Sequence, residues 1–150
     1  MSNDKPNLTD SHFADMLMEP FAELFKPKKH YPTITVEYSP SRDEWIEIAE
    51  TIWITALEGG CNYWLDYIHT GGFDLKSGEN VVDHNFEVTL HHDEDEVEKA
   101  KAFDVIVDGI NLLDPHRQRL ALTVSELGQL DAIDCDYIIQ LGVFGKEVYC

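Results

Sequence analysis

The span DHNFEVTLHHDEDE, residues 83–96, brings His84, His91, His92, Asp93 and Asp95 within a few positions of one another. Imidazole and carboxylate are groups that zinc or manganese accepts, so His84, His91 and Asp93 are the set a metal-dependent enzyme would use. Geometry weighs against the idea. Neighbours on a strand point to opposite faces, and His91 and His92 cannot serve one ion without a bend. The acids that follow also have a structural reading, because carboxylates in the first turn of a helix complement its dipole. The sequence implies no metal and no cofactor.

Nucleophilic chemistry has less support. The chain contains no GxSxG and no HExxH. Cys61 follows a glycine pair, with Glu58, Asn62 and Asp66 nearby, whereas an activated thiolate prefers a helix N-terminus or a basic neighbour. The three cysteines, Cys61, Cys135 and Cys150, form no CxxC pair and read as reduced packing residues. With 29 acids in the chain, some carboxylate pairs must fall close together by chance. The expectation is a protein that is not an enzyme.

Phosphate binding is equally short of signals, since neither GxxxxGK[ST] nor GxGxxG occurs. Gly59-Gly60 is expected to stop a helix, with Gly59 left-handed at the carbonyl end, where the dipole repels anions. A pocket of Tyr63, Trp64 and Tyr67, completed by Arg117 and Arg119, is the arrangement that would sequester a nucleotide signal. LTVSELGQLDAIDCDYIIQ has the rhythm of a helix-turn-helix. Its second helix would carry Asp131, Asp134 and Asp136 toward phosphates, which excludes direct nucleic-acid binding.

The charge is the strongest global feature: 29 acids against 11 bases, a net of −18. Residues 1–30 hold five acids and four bases, so nearly all of the excess belongs to residues 31–150. Such a field repels nucleic acid and anionic membrane and attracts basic partners. Asp93, Glu94, Asp95, Glu96 and Glu98, with Asp104 and Asp108 further along, are expected to line one helix as a row of carboxylates. Such a row could mimic nucleic acid before a basic protein surface.

These residues need elements to position them. SHFADMLMEPFAELF spaces Phe13, Leu17, Phe21 and Leu24 as an amphipathic helix within an N-terminal extension, residues 1–30. Residues 31–150 read as one compact acidic domain. Strands are expected at 33–39, 61–69 and 85–92 from their alternation and aromatic content. Helices are expected at 41–58, behind a Ser41/Glu44 capping box, and from the DEDEVE run to Leu113, where Asp114-Pro115 ends the second. A short helix around TVSELGQL and one from Asp131 to Phe144 follow. The fold class is α+β: a small antiparallel sheet of about three strands packed against four or five helices. No apolar run approaches the roughly 20 residues of a membrane span, which points to a cytoplasmic protein. The N-terminal helix and the apolar tail LGVFGKEVYC offer surfaces that a homodimer could bury.

Two stretches carry a resemblance. TALEGGCNYW (Thr55 to Trp64) and DYIIQLGVFGKEVYC (Asp136 to Cys150) resemble small uncharacterised phage and prophage proteins with an ALEGG-x-NYW-like junction and an FG-x-x-Y(G)-like C-terminus. The chain departs from them in carrying Cys150 where glycine is expected, and in its long N-terminal extension. The resemblance implies a viral accessory origin and supplies no catalytic residue. Products of this kind act on the host, so it implies an inhibitor of a host defence protein with a basic surface, of the anti-CRISPR or anti-restriction sort, working in the host cytoplasm.

Overall fold

The computed structural model describes residues 39–150; the amphipathic helix expected within residues 1–30 and all of the expected strand at 33–39 except Ser39 lie outside them. Helix α1 (Arg42–Thr55) starts as its sequence dictates. Ser41 Oγ accepts the Glu44 amide at 3.3 Å while Glu44 returns a bond of 2.7 Å to the Ser41 amide. Ile48, Ala49, Ile52 and Trp53 make its buried stripe, and each large side chain contributes roughly 1.5–3 kcal/mol through burial. The helix then loosens into a π turn (Ala56–Gly60) and a 3-10 turn (Cys61–Tyr63) before strand β1 (Leu65–His69).

Helix α2 (Gly78–His84) interrupts the connection to β2 (Glu87–His92), and β3 (Glu96–Lys101) follows at once. The three strands form an antiparallel sheet in the order β1-β2-β3, with Leu90 opposite both Ile68 and Glu98. Val88, Leu90 and His92 turn one face of the sheet to the core. Helices α3 (Ala102–Asn111), α4 (Pro115–Leu122) and α5 (Ala132–Phe144) complete the chain, with a 3-10 segment (Val124–Gln129) between the last two. The Trp53 indole N–H, wholly buried, donates to the Ala102 carbonyl at 3.2 Å and ties α1 to the start of α3. Helices α3 and α5 lie backbone to backbone. A Cβ on Gly109 would strike the Ile138 carbonyl, and one on Gly142 would strike that of Val105.

The fold is therefore α+β with a three-stranded antiparallel sheet, as expected, but its membership differs. The DEDEVEKAK run forms no helix. Asp93, Glu94 and Asp95 are the turn of a hairpin, all with positive φ (47°, 51° and 97°), and β3 takes the place assigned to the first half of the helix. Local helix propensity yields here to the hydrogen bonds that β2 gains from a second partner. Helix α3 begins only at Ala102. It ends at Asn111, ahead of Asp114-Pro115 as expected, but that pair also starts a helix the sequence did not announce: Asp114 caps α4, accepting the His116 and Arg117 amides at 3.1 Å each, with Pro115 in the first turn where a missing N–H costs nothing. The strand expected at 61–69 is strand only from Leu65. No helix among the described residues is long and apolar enough to cross a membrane.

Candidate functional site

The Gly59-Gly60 junction organises the most elaborate polar cluster in the described residues, for a reason other than the one its sequence suggests. Neither glycine is left-handed; positive φ among glycines falls at Gly71, Gly72 and Gly145. Both glycines are there for proximity. A side chain on Gly60 would meet the Ala132 carbonyl and the Asp136 Cβ, and one on Gly59 would press on Ala132. The missing side chains let the π turn lie against the first turns of α5. That contact places Cys61, Tyr63 and Trp64 around a single carboxylate.

Asp136 is 4% exposed. Its Oδ1 accepts the Trp64 indole N–H at 2.7 Å, and its Oδ2 accepts the Tyr63 hydroxyl at 2.8 Å and Gln140 Nε2 at 2.9 Å. The Cys61 thiol lies within reach of its charge. No cation among the described residues forms an ion pair with it. A buried negative charge is thus held by neutral donors alone, an arrangement that depends on nearly every lone pair being filled. The charge marks its neighbours. Burial, then Asp136, pushes the Cys61 thiol far above the ordinary range, and the same two causes push Tyr63 up to about 12. Burial, then Asp134, pushes Cys135 up to about 12. Cys61 and Cys135 are therefore packing thiols, and no activated nucleophile arises from them.

Gln140, one helical turn beyond Asp136, extends the network to the tail. After α5, Gly145 takes the left-handed conformation (φ 73°) and reverses the chain. Gln140 Oε1 accepts the Val148 and Tyr149 amides at 2.9 and 2.7 Å, while its Nε2 donates to the Tyr149 carbonyl at 2.9 Å. The Tyr149 ring stacks on Trp64 (centroids 5.1 Å, planes 6° apart), and its hydroxyl lies 2.6 Å from Nδ1 of the buried His92. Phe144 closes the group edge-on to both Trp64 and His92. The stretches TALEGGCNYW and DYIIQLGVFGKEVYC, far apart in sequence, meet at this lock.

The carboxylates expected as one row fall into two groups. Asp93, Glu94, Asp95 and Glu96 are exposed at the hairpin tip, with Glu98 half-buried beside them. Asp66, Asp93, Glu96 and Glu98 converge near the Tyr149 hydroxyl, whose pKa is raised by burial and then by these charges. Asp104 and Asp108 sit apart on α3, where Asp104 accepts from Asn85 Nδ2 at 2.9 Å.

The aromatic and arginine set disperses as well. Trp64 is 5% exposed and faces the core, so it walls no open pocket. Tyr67 stands on the outer face of the sheet, stacked on His91 at 3.9 Å. Arg119 lies 3.6 Å from Glu126, and Arg117 lies over the Tyr137 ring, 5.4 Å from its centroid. Tyr63 opens onto a cleft. That cleft, of about 410 Å³, is bounded by Gly59, Gly60, Ile133, Tyr137 and Glu147, with Asp136 beneath. Among the described residues no three histidine, cysteine or acidic groups gather as a metal site, so His84, His91 and Asp93 do not converge. His91 is turned to Tyr67, and His84 packs on Phe73.

Sequence reasoning placed His92 beside the metal candidates and Asp136 on a helix unfit for DNA, missed the buried role of both, and passed over Gln140. The last two did leave a signal: polar residues at i and i+4 in a helix whose neighbours Cys135, Ile138 and Ile139 are all buried. Comparison with models of known protein families, with characterised proteins and with solved structures finds no match to this chain.

Proposed function

We propose that this chain is a non-enzymatic binding protein, a phage-type accessory factor that inhibits a host defence protein by presenting carboxylates to a basic, nucleic-acid-binding surface. The observation that carries this reading is the β2–β3 tip. Asp93, Glu94, Asp95 and Glu96 are exposed there in succession, and three of them stand in a backbone conformation that favours glycine or asparagine. The net charge of −18 supplies the long-range attraction. The packed lock behind the tip gives the hairpin a rigid base, which lowers the entropy lost on binding. Burial of the Cys61 and Cys135 thiols and, among the described residues, the separation of His84 and His91 are in keeping with a binding role.

The test is capture from host lysate at low and high salt, with competition by DNA or RNA, using the native chain and the variant Asp93→Asn/Glu94→Gln/Asp95→Asn/Glu96→Gln. The expected result is a nucleic-acid-binding partner that salt releases, nucleic acid displaces and the variant fails to hold. Binding that persists unchanged at high salt, or in the variant, overturns the proposal. A melting temperature raised by a nucleotide favours sequestration of a nucleotide signal instead.

A further inference from the structure

The cleft beside Gly59-Gly60 is distinct from the hairpin tip, and three features give it a negative potential. The first is Asp136 at its base, a buried charge satisfied by neutral donors and paired with no cation of the described residues. The field of such a charge is little screened from the cavity it underlies. The second is Glu147, an exposed carboxylate on the rim. The third is the end of α1: its helical path runs through the π turn to Gly60, so its carbonyl end lies at the cleft, while the opposing N-terminal end of α5 at Ile133 is offset by the capping carboxylates Asp131 and Asp134. The high pKa of Tyr63, which lines the same cavity, is consistent with this field.

The shape and the remaining lining restrict the ligand. Asp136 already holds several donors and no other described carboxylate reaches it as part of a metal-holding group, so a metal ion would find too few oxygens. An organic cation needs none of them. Tyr63 (57% exposed), Ile133 (77% exposed) and the half-buried Tyr137 offer an aromatic and aliphatic wall for an alkyl stem and a flat head. Tyr137 already accepts a guanidinium over its ring, that of Arg117, which stands 3.7 and 3.9 Å from Asp114 and Asp134. A volume of about 410 Å³ lies in the range of small ligand sites.

We propose that this cleft receives an arginine side chain of the partner protein, as an anchor set beside the acidic tip. The inference rests on the protein-binding reading above and names the chemistry of one contact within it. An arginine here would be desolvated by Tyr63 and Ile133 and attracted by charges that the exposed tip does not share, the conditions under which single interface residues dominate affinity.

The test needs no partner. Amide chemical shifts of ¹⁵N-labelled protein are followed during titration with N-acetyl-arginine amide, N-acetyl-norleucine amide and spermidine, for the native chain and for Glu147→Gln, an exposed position that leaves the lock intact. The expected result is saturable shifts at Gly59, Gly60, Tyr63 and Ile133 with the arginine compound and none with norleucine. Affinity should weaken about threefold in Glu147→Gln, the weight of one exposed charge. Absence of shifts at these residues, equal shifts with norleucine, or tighter binding of spermidine at the same residues each overturns it, the last by assigning the cleft to free polyamines. If arginine binds here but lysate yields no salt-sensitive partner, the function fails and the cleft assignment stands. The reverse outcome sinks the cleft alone.

Discussion

The tail lock and the hairpin tip treat negative charge in opposite ways. At the lock one carboxylate, Asp136, is buried and receives the indole of Trp64, the hydroxyl of Tyr63 and the amide of Gln140. At the tip four successive acids stand in solvent, three of them with positive φ. In the first region charge specifies structure, since removing any donor leaves an unpaired lone pair in a low-dielectric interior. In the second it works against local structure, because like charges crowd a turn that a glycine would make more easily. Polar groups that cost stability and gain no internal partner are the ones to examine for an external role.

The comparison breaks most sharply at Gln140. Gln140→Leu keeps the size but leaves the buried-side Val148 and Tyr149 amides without their acceptor and takes one donor from Asp136 Oδ2 and from the Tyr149 carbonyl, and should cost about 3 kcal/mol. Urea titration checks this, and a change below about 1 kcal/mol would show that water replaces the amide freely. Tyr149→Ala is expected next, at about 2 kcal/mol, with altered Trp64 emission as its stacking partner is lost. At the tip the fourfold neutralisation Asp93→Asn/Glu94→Gln/Asp95→Asn/Glu96→Gln should leave the melting temperature unchanged or raised, because repulsion is relieved. A clear fall would mean that these charges serve the fold after all.

A pH titration sharpens the contrast further. Tyr63 is held protonated up to about 12 in the folded chain, against roughly 10 when unfolded. The native state therefore binds this proton more tightly. Its stabilisation is complete below about pH 10 and is lost as pH rises toward 12. Thermal melts of native protein should fall across that window, and Tyr63→Phe should flatten the part due to this residue. The smallest effect is expected at the exposed Arg42–Asp83 pair, bonded at 2.9 and 2.5 Å between α1 and α2. Hydrogen bonding to Arg42 holds Asp83 below its usual range, so its contribution is present at neutral pH and fades as acid protonates it. Asp83→Asn should shift acid melting less than any variant of the lock.

Legibility in the sequence followed sequence distance. The Ser41/Glu44 capping box and the start of α5 at Asp131 were readable because capping is a matter of three residues. The three-stranded sheet was readable in number, yet β3 was not: DEDEVEKAK is composed of good helix formers, and only pairing with β2 makes it a strand. Asp114-Pro115 was ambiguous in the same way, since a proline that cannot continue one helix is well suited to begin the next. The lock was invisible as a whole. Tyr63 and Trp64 are more than 70 residues from the carboxylate they serve, and the glycines that permit the contact resemble a helix stop until α5 is seen against them. What could be read was the unusual pair of stretches that turned out to form it.

The left-handed acids of the tip have a practical consequence. A library of variants at Asp93, Glu94 and Asp95 selected for heat resistance should drift toward asparagine and glycine, which suit those backbone angles. Under the proposed function, the same library selected for capture by a basic protein surface should retain the acids. Where the two enrichment profiles part company, the proposed binding surface can be mapped residue by residue.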